Sequence, residues 1–211
     1  MYQPRHFEER RPEVLHRLMV DHPLALLIHH GPDGLAANPL PLLHDADGGE
    51  FGCLRGHVAR ANPLWQQVQD SPEVLVVFQG PQAYVSPNWY PAKAEHGKVV
   101  PTWNYCIVQA RGRLRCIDDK GWLRTLVQRL TDRHEVSLPQ PWAVDDAPEI
   151  FVDHMLGAIV GIELPIEQLV GKWKVSQNRS AADRAGVVDG LLGRPGDDAR
   201  AMASQVADPG G

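Results

Sequence analysis

Short apolar runs separated by turn residues dominate the first half of the chain. Leu24-Ala25-Leu26-Leu27-Ile28-His29-His30 is followed by Gly31-Pro32-Asp33-Gly34 and a second run over residues 35–43, the pattern of a β-hairpin. Asp45-Ala46-Asp47-Gly48-Gly49 marks another turn before a third strand at 51–58. Val74-Leu75-Val76-Val77-Phe78 is β-branched and predicts a buried strand, after which the chain passes through Gln79-Gly80-Pro81-Gln82 into 83–86. Residues 103–110 and 112–117 predict a further strand pair, and 155–163 a last strand.

Helical spacing is confined to a few places. Val14, Leu15, Leu18 and Met19 give 8–20 one apolar face, with Pro12 near its start, where proline is tolerated. Asn62-Pro63 opens a short helix carrying Leu64, Trp65 and Val68, with Asn62 as its cap. The strongest helical pattern is Trp122, Leu123, Leu126, Val127 and Leu130, capped by Asp118 or Asp119 and running to about Glu135. Proline and glycine predict a long loop over 87–98, residues 165–170 a short helix, 183–192 another, and 195–211 a frayed tail. Many hairpin-linked strands and few intervening helices predict a mainly β fold with peripheral helices (α+β), a barrel and not a βαβ layout.

Composition narrows the function. At 211 residues the chain can bury a real core, and 43% apolar with 22% charged residues is ordinary for a soluble globular protein. A formal net charge of −5 argues against a free-standing DNA-binding surface. Cys53, Cys106 and Cys116 have no CxxC spacing, so reduced cytosolic thiols are expected and no zinc site. The polar start and the short apolar runs predict a cytoplasmic protein with no secretory signal and no membrane partner. His29-His30 would point to opposite strand faces, and no other histidine has a partner at ligand spacing, so no metal site is expected. GxSxG, P-loop and GxGxxG motifs are absent from the sequence, which removes the usual signals for hydrolases, NTPases and dinucleotide folds.

Candidate chemistry gathers in three segments. Gly171-Lys172-Trp173-Lys174-Val175-Ser176-Gln177-Asn178-Arg179 joins cations, an indole and amides, the wrong mixture for a core and a suitable one for a flat anionic ligand. Its candidate ligand residues are Lys174, Gln177, Asn178 and Arg179. His57, Arg60 and Asn62 sit where a strand turns into a helix, whose N-terminal N–H groups suit a phosphate. Tyr84, Ser86, Trp103 and Asn104 offer ring faces and polar edges to a planar ligand, with Trp89 and Tyr90 expected to pack.

These segments, in order after Met1-Tyr2-Gln3-Pro4-Arg5-His6-Phe7, resemble the PaiB-type proteins, FMN-binding negative transcriptional regulators related by fold to pyridoxamine 5′-phosphate oxidase. The resemblance covers roughly residues 1–180, leaving 181–211 as a C-terminal helix and flexible tail. It implies an FMN-binding split β-barrel that forms a homodimer with flavin between subunits, and control of DNA directly or through a partner. The relatives hold the flavin phosphate with paired basic residues at the strand-to-helix turn, where this chain has Ala61 and Asn62. Their late Trp and Arg are loosely matched by Trp173 and Arg179. The alternative is a flavin-dependent oxidoreductase acting on a small molecule, for which no catalytic base stands out. A haem-binding relative on the same barrel is a third reading.

Overall fold

Alternating apolar and polar positions become antiparallel strands, and the 3.6-residue periodicities become helices laid against them. The computed structural model describes residues 1–69 and 71–209. In chain order the strands are β1 (Glu8–Glu9), β2 (Leu24–Gly31), β3 (Gly34–Pro41), β4 (Leu43–Asp45), β5 (Cys53–Ala59), β6 (Glu73–Val85), β7 (Thr102–Arg113), β8 (Arg115–Ile117), β9 (Ile159–Pro165) and β10 (Gln168–Lys174). The helices are α1 (Pro12–Asp21), α2 (Leu64–Gln67), α3 (Ala92–His96), α4 (Lys120–Glu135), α5 (Glu149–Gly157), α6 (Ala181–Leu192) and α7 (Asp197–Ala207). Two units are distinguished: Met1–His22, Phe78–Val108 and Val170–Gly211 form the first, and Pro23–Val77 with Gln109–Leu169 the second.

In the first unit the strand order is β1-β10-β7-β6, and β1 runs antiparallel to β10 with Glu8 opposite Lys172. Helix α1 starts on Pro12 and buries Leu15, Leu18 and Met19. It lies so close to β6 that a Cβ on Gly80 would stand 2.7 Å from Leu18 Cδ1 and force that side chain to shift. Ser180 caps α6 by accepting from the Asp183 amide at 3.1 Å.

In the second unit β2 and β3 form the expected hairpin, with Gly34 at φ 106° in its turn. β2 also pairs with β6 through Leu26–Val77, and a second sheet has the order β4-β5-β9-β8. Asp119 caps α4, accepting from the Trp122 amide at 2.7 Å. The helix packs Leu123 with Val144, Val152 and Leu156, and Leu126 and Leu130 with Leu43.

Four local expectations are corrected. The run 155–163 is split: Met155 to Gly157 end α5, which buries Val152 and Leu156 four residues apart, and β9 starts at Ile159. A continuous apolar run does not distinguish a buried strand from a buried helix end. Residues 165–170 are not helical; Pro165 closes β9 and β10 begins at Gln168. The interval 87–98 holds a 3-10 turn at Pro87–Trp89 and α3. The expected frayed tail contains α7, which buries Ala199, Met202, Ala203 and Val206 at helical spacing. Residues 210–211 of that stretch lie outside the described residues.

Candidate functional site

Strand parity sorts the aromatic and amide candidates. Trp103 is 50% exposed while its neighbour Asn104 is 1% exposed, because successive strand residues face opposite ways. On the outward side Tyr84 meets Trp103 edge to face with centroids 6.1 Å apart, and Trp103 Nε1 donates to Gln82 Oε1 at 3.1 Å. Tyr84, Gln82 and Trp103, with the residues leading into α7, line a cavity of about 460 Å3. Tyr105, two positions after Trp103, has the Lys172 ammonium 5.3 Å and the Lys174 ammonium 6.0 Å from its ring centroid.

Lys174 is the hinge of the arrangement. Its Nζ donates to the Trp103 carbonyl at 2.7 Å and to Thr102 Oγ1. Partial burial, with the like charges of Lys172 and Arg179, pushes its pKa down from the usual lysine value. Among the described residues, none of Lys172, Lys174 and Arg179 forms a salt bridge. Lys172 is buried, and its ammonium donates to the Tyr2 carbonyl at 3.0 Å. The Arg179 guanidinium lies over the Tyr90 ring, 4.8 Å from its centroid. This is a patch of positive charge whose three cations are unpaired by salt bridges among the described residues.

Beyond β10 the chain turns sharply. Ser176 has φ 65°, the one non-glycine residue with positive φ among the described residues. Its hydroxyl accepts from Asn104 Nδ2 at 2.9 Å, and Gln177 braces the turn by accepting from the Val175 amide at 2.8 Å and donating to the Trp173 carbonyl at 2.6 Å. Gln177 and Asn104 therefore build the turn, and their amides are occupied. Lys174, Asn178 and Arg179 meet Thr102, Asn104, Ser176, Tyr90 and Phe7 around a recess of about 50 Å3. Ser86 is used locally, accepting from the Asn88 amide at 3.2 Å.

His57, Arg60 and Asn62 belong to the second unit. Arg60 donates to both Asp118 carboxylate oxygens, to the Gly157 carbonyl at 2.8 Å and to the Ile159 carbonyl at 3.0 Å. Asn62 accepts from the Leu64 amide at 2.9 Å, as a cap should, and donates to Asn38 at 3.0 Å. Their polar groups are consumed by structure. His57 Nδ1 is buried without a partner, and burial lowers the pKa of that ring.

Sequence reasoning passed over Lys172, Tyr105 and Tyr90 as ligand groups. Lys172 lay in the basic segment and Tyr105 beside Trp103, but nothing local marks Tyr90, which was expected only to pack. Its ring does pack, at 2% exposure, with the Arg179 guanidinium against it. Burial pushes the phenol pKa up, while the adjacent Arg179 pulls the other way. Among the described residues no cluster of three or more His, Cys, Asp or Glu could hold a metal, and no helix is long and apolar enough to cross a membrane.

Comparison with known proteins agrees with a flavin site. An uncharacterized protein of Emericella nidulans is 35% identical, covering 96% of this chain and 94% of its own. The Bacillus subtilis protein named "Protease synthase and sporulation protein PAI 2" is 27% identical over 99% of this chain and 97% of its own. The solved structure of an FAD and heme binding protein from Mycobacterium smegmatis superposes with a TM-score of 0.55 at 16% identity, over 97% of this chain and 80% of that one, a likeness of fold alone. Residues 1–168 match the family described as "Putative FMN-binding domain". The chain belongs to that family, with the FMN-binding split β-barrel as its fold and FMN as its cofactor.

Proposed function

We propose that this protein is an FMN-binding, homodimeric, cytoplasmic negative regulator of transcription of the PaiB type, with its flavin held on the first unit. The observation that supports this most is the uncompensated cationic and aromatic face formed by Lys172, Lys174 and Arg179 beside Trp103, Tyr84 and Tyr105. FMN presents a flat ring and a phosphate dianion, and the face presents half-exposed ring surfaces and cations that lack counter-charges. The residues therefore fit the group: Trp103 and Tyr84 would take the ring, and Lys174 and Arg179 the anionic end. In the second unit His57 keeps a ring nitrogen uncommitted and is that unit's candidate ligand residue, whereas Arg60 and Asn62 have spent theirs. When bound, FMN supplies one- and two-electron redox chemistry.

The regulatory role draws on the Bacillus subtilis relative, whose name concerns protease synthesis and sporulation and whose similarity runs along nearly the whole chain. An indirect mode fits better than direct DNA reading. The net charge is −5, and after α4 the next α-helix begins only at Glu149, too far on for a helix-turn-helix. Dimerisation is supported by the outward apolar side chains of α5, with Ile150 88%, Phe151 55% and Met155 47% exposed.

Three measurements test this. Saturable quenching of FMN fluorescence is expected, and its absence would remove the flavin reading. Sedimentation velocity should give a dimer. Promoter fragments should shift only with a protein partner present; a salt-sensitive shift by the purified protein alone would establish direct binding instead. NAD(P)H oxidation by the flavin-loaded protein without any promoter effect would favour the oxidoreductase.

A further inference from the structure

The sheet of the first unit has a second face, turned away from the cations of β10. Cys106 follows Tyr105 on β7 and Trp173 precedes Lys174 on β10, so both side chains point to the opposite side from those neighbours. They floor a cleft of about 510 Å3 between α1 and α7, with Leu18, Pro81 and Ala201 as apolar walls. None of its lining residues borders the cavity beside Trp103 or the recess beside Lys174. Pockets of about 300–1,000 Å3 enclose small organic ligands, and this cleft lies within that range.

Polar groups restrict how a ligand would lie. Gln205 Oε1 accepts from Trp173 Nε1 at 3.0 Å and from the Cys106 thiol at 3.9 Å, and because both partners are donors the orientation of the amide is set. Gln205 Nε2 donates to nothing among the described residues and is left for an acceptor on a guest. Burial pushes the Cys106 thiol up to about 12, so the floor is uncharged at neutral pH.

Charge enters only at the mouth, along one side of α1. Asp21 pairs with Arg17 at 2.8 Å, while Glu13 forms no salt bridge among the described residues. Arg11, the cation that Glu13 feels, is held by Glu9 at 2.6 Å and feels Asp208 as well. With histidine counted as neutral at pH 7, two carboxylates against one guanidinium leave the mouth formally negative. That sign is opposite to the sign of the β10 face.

We propose that this cleft binds a small organic monocation, an amine carried on an apolar, ring-sized body with a hydrogen-bond acceptor at its inner end. The body would lie against Trp173, Leu18 and Cys106, the acceptor would take the Gln205 amide proton, and the ammonium would sit at the mouth beside Glu13. A phosphate does not suit a negative mouth, so the site is separate from the flavin's and does not depend on it.

Tyramine is the probe, since its phenol oxygen, ring and ammonium match the three parts, and hydroxyphenylpropionate carries the same ring with the opposite charge. Calorimetric titration of the full chain should show saturable binding of tyramine, with the carboxylate weaker by about tenfold or more. Glu13→Gln should weaken tyramine about two- to fivefold, as an exposed ion pair allows. Ala201→Phe fills the cleft and should abolish tyramine binding while leaving the quenching of FMN fluorescence unchanged. Should Ala201→Phe fail to fold, Val14→Phe on the α1 wall carries the same expectation. Absence of saturable tyramine binding, equal affinity for amine and carboxylate, or undiminished binding by a folded cleft-filling variant overturns the proposal. Displacement of tyramine by FMN overturns it as well, because the cleft would then be the flavin's. Tyramine binding by a protein that binds no FMN upholds the cleft and removes only the flavin reading.

Discussion

Lys174→Met separates binding from folding. In the ligand-free protein the Lys174 ammonium is partly desolvated and faces Lys172 and Arg179, while Thr102, Trp103 and Tyr105 of β7 give it only neutral partners. Because its folded pKa lies below the unfolded value, the unfolded chain holds the proton more tightly. Stability therefore rises with pH between the lowered folded pKa and the ordinary lysine value, and the charge penalty is present in full below that window. Methionine removes the charge and loses the bonds to the Trp103 carbonyl and Thr102 Oγ1, each a net contribution of about 0.5–1.5 kcal/mol. Relief of like-charge repulsion opposes that loss, so the net change in stability at neutral pH should lie within about 1 kcal/mol of zero. Bound FMN loses one charge-assisted hydrogen bond, about 1.5–3 kcal/mol, or roughly 10- to 100-fold in affinity. Urea unfolding across alkaline pH reads the first quantity and FMN fluorescence quenching the second. Wild-type FMN affinity in the variant, or the same alkaline rise in stability with and without the lysine, would refute the reasoning.

Other perturbations probe the frame around the site. Gly190→Ala would place a Cβ 2.5 Å from Trp89 Cγ, and the overpacking should cost about 1–3 kcal/mol, read as a lower melting temperature. Met202→Ala empties a position with 0% exposure on α7 and should cost about 2–5 kcal/mol; a loss below about 0.5 kcal/mol would mean that α7 is dispensable. Asp45 is held below its usual carboxylate range by the hydrogen bond from Arg129 and by Arg55. That contribution is full above the unfolded aspartate pKa and lost as pH falls through the lowered folded value, so Asp45→Asn should flatten the acid limb of the unfolding profile.

Much of this architecture was legible where periodicity was strong. β2, the start of β6 and α4 carry uninterrupted patterns, and Asp119 announces the helix that follows. Helix α7 escaped because Ala199 and Ala203 fill two of its four buried positions, and alanine gives a hydropathy pattern little contrast. The basic segment at the end of β10 was legible from composition, since Lys172 and Lys174 have no place in an ordinary core. What composition could not give was the spending of donors over distance. Arg60 finds Asp118 across 58 positions and Asn62 finds Asn38 across 24, and only those contacts show that the turn at 57–63 has little left for a phosphate.

Ser176 tests whether the turn is preorganised for an anion or merely ends a strand. Its backbone at φ 65° costs an ordinary residue about 1–2 kcal/mol, and its hydroxyl satisfies an Asn104 amide that is otherwise buried. Ser176→Ala keeps the strain and orphans Asn104, a loss of about 1–3 kcal/mol. Ser176→Gly orphans Asn104 equally but relieves the strain, less the roughly 0.5–1 kcal/mol that glycine adds in chain entropy. The glycine variant should therefore be the more stable of the two by about 1 kcal/mol in urea unfolding, with both below wild type. Anion affinity is expected to run differently. Glycine leaves the turn free to sample other conformations, so it should weaken phosphate binding at least as much as alanine despite its greater stability. If phosphate affinity instead followed stability through the pair, the turn would act only as part of the fold, and the strained geometry at Ser176 would have no part in holding the ligand.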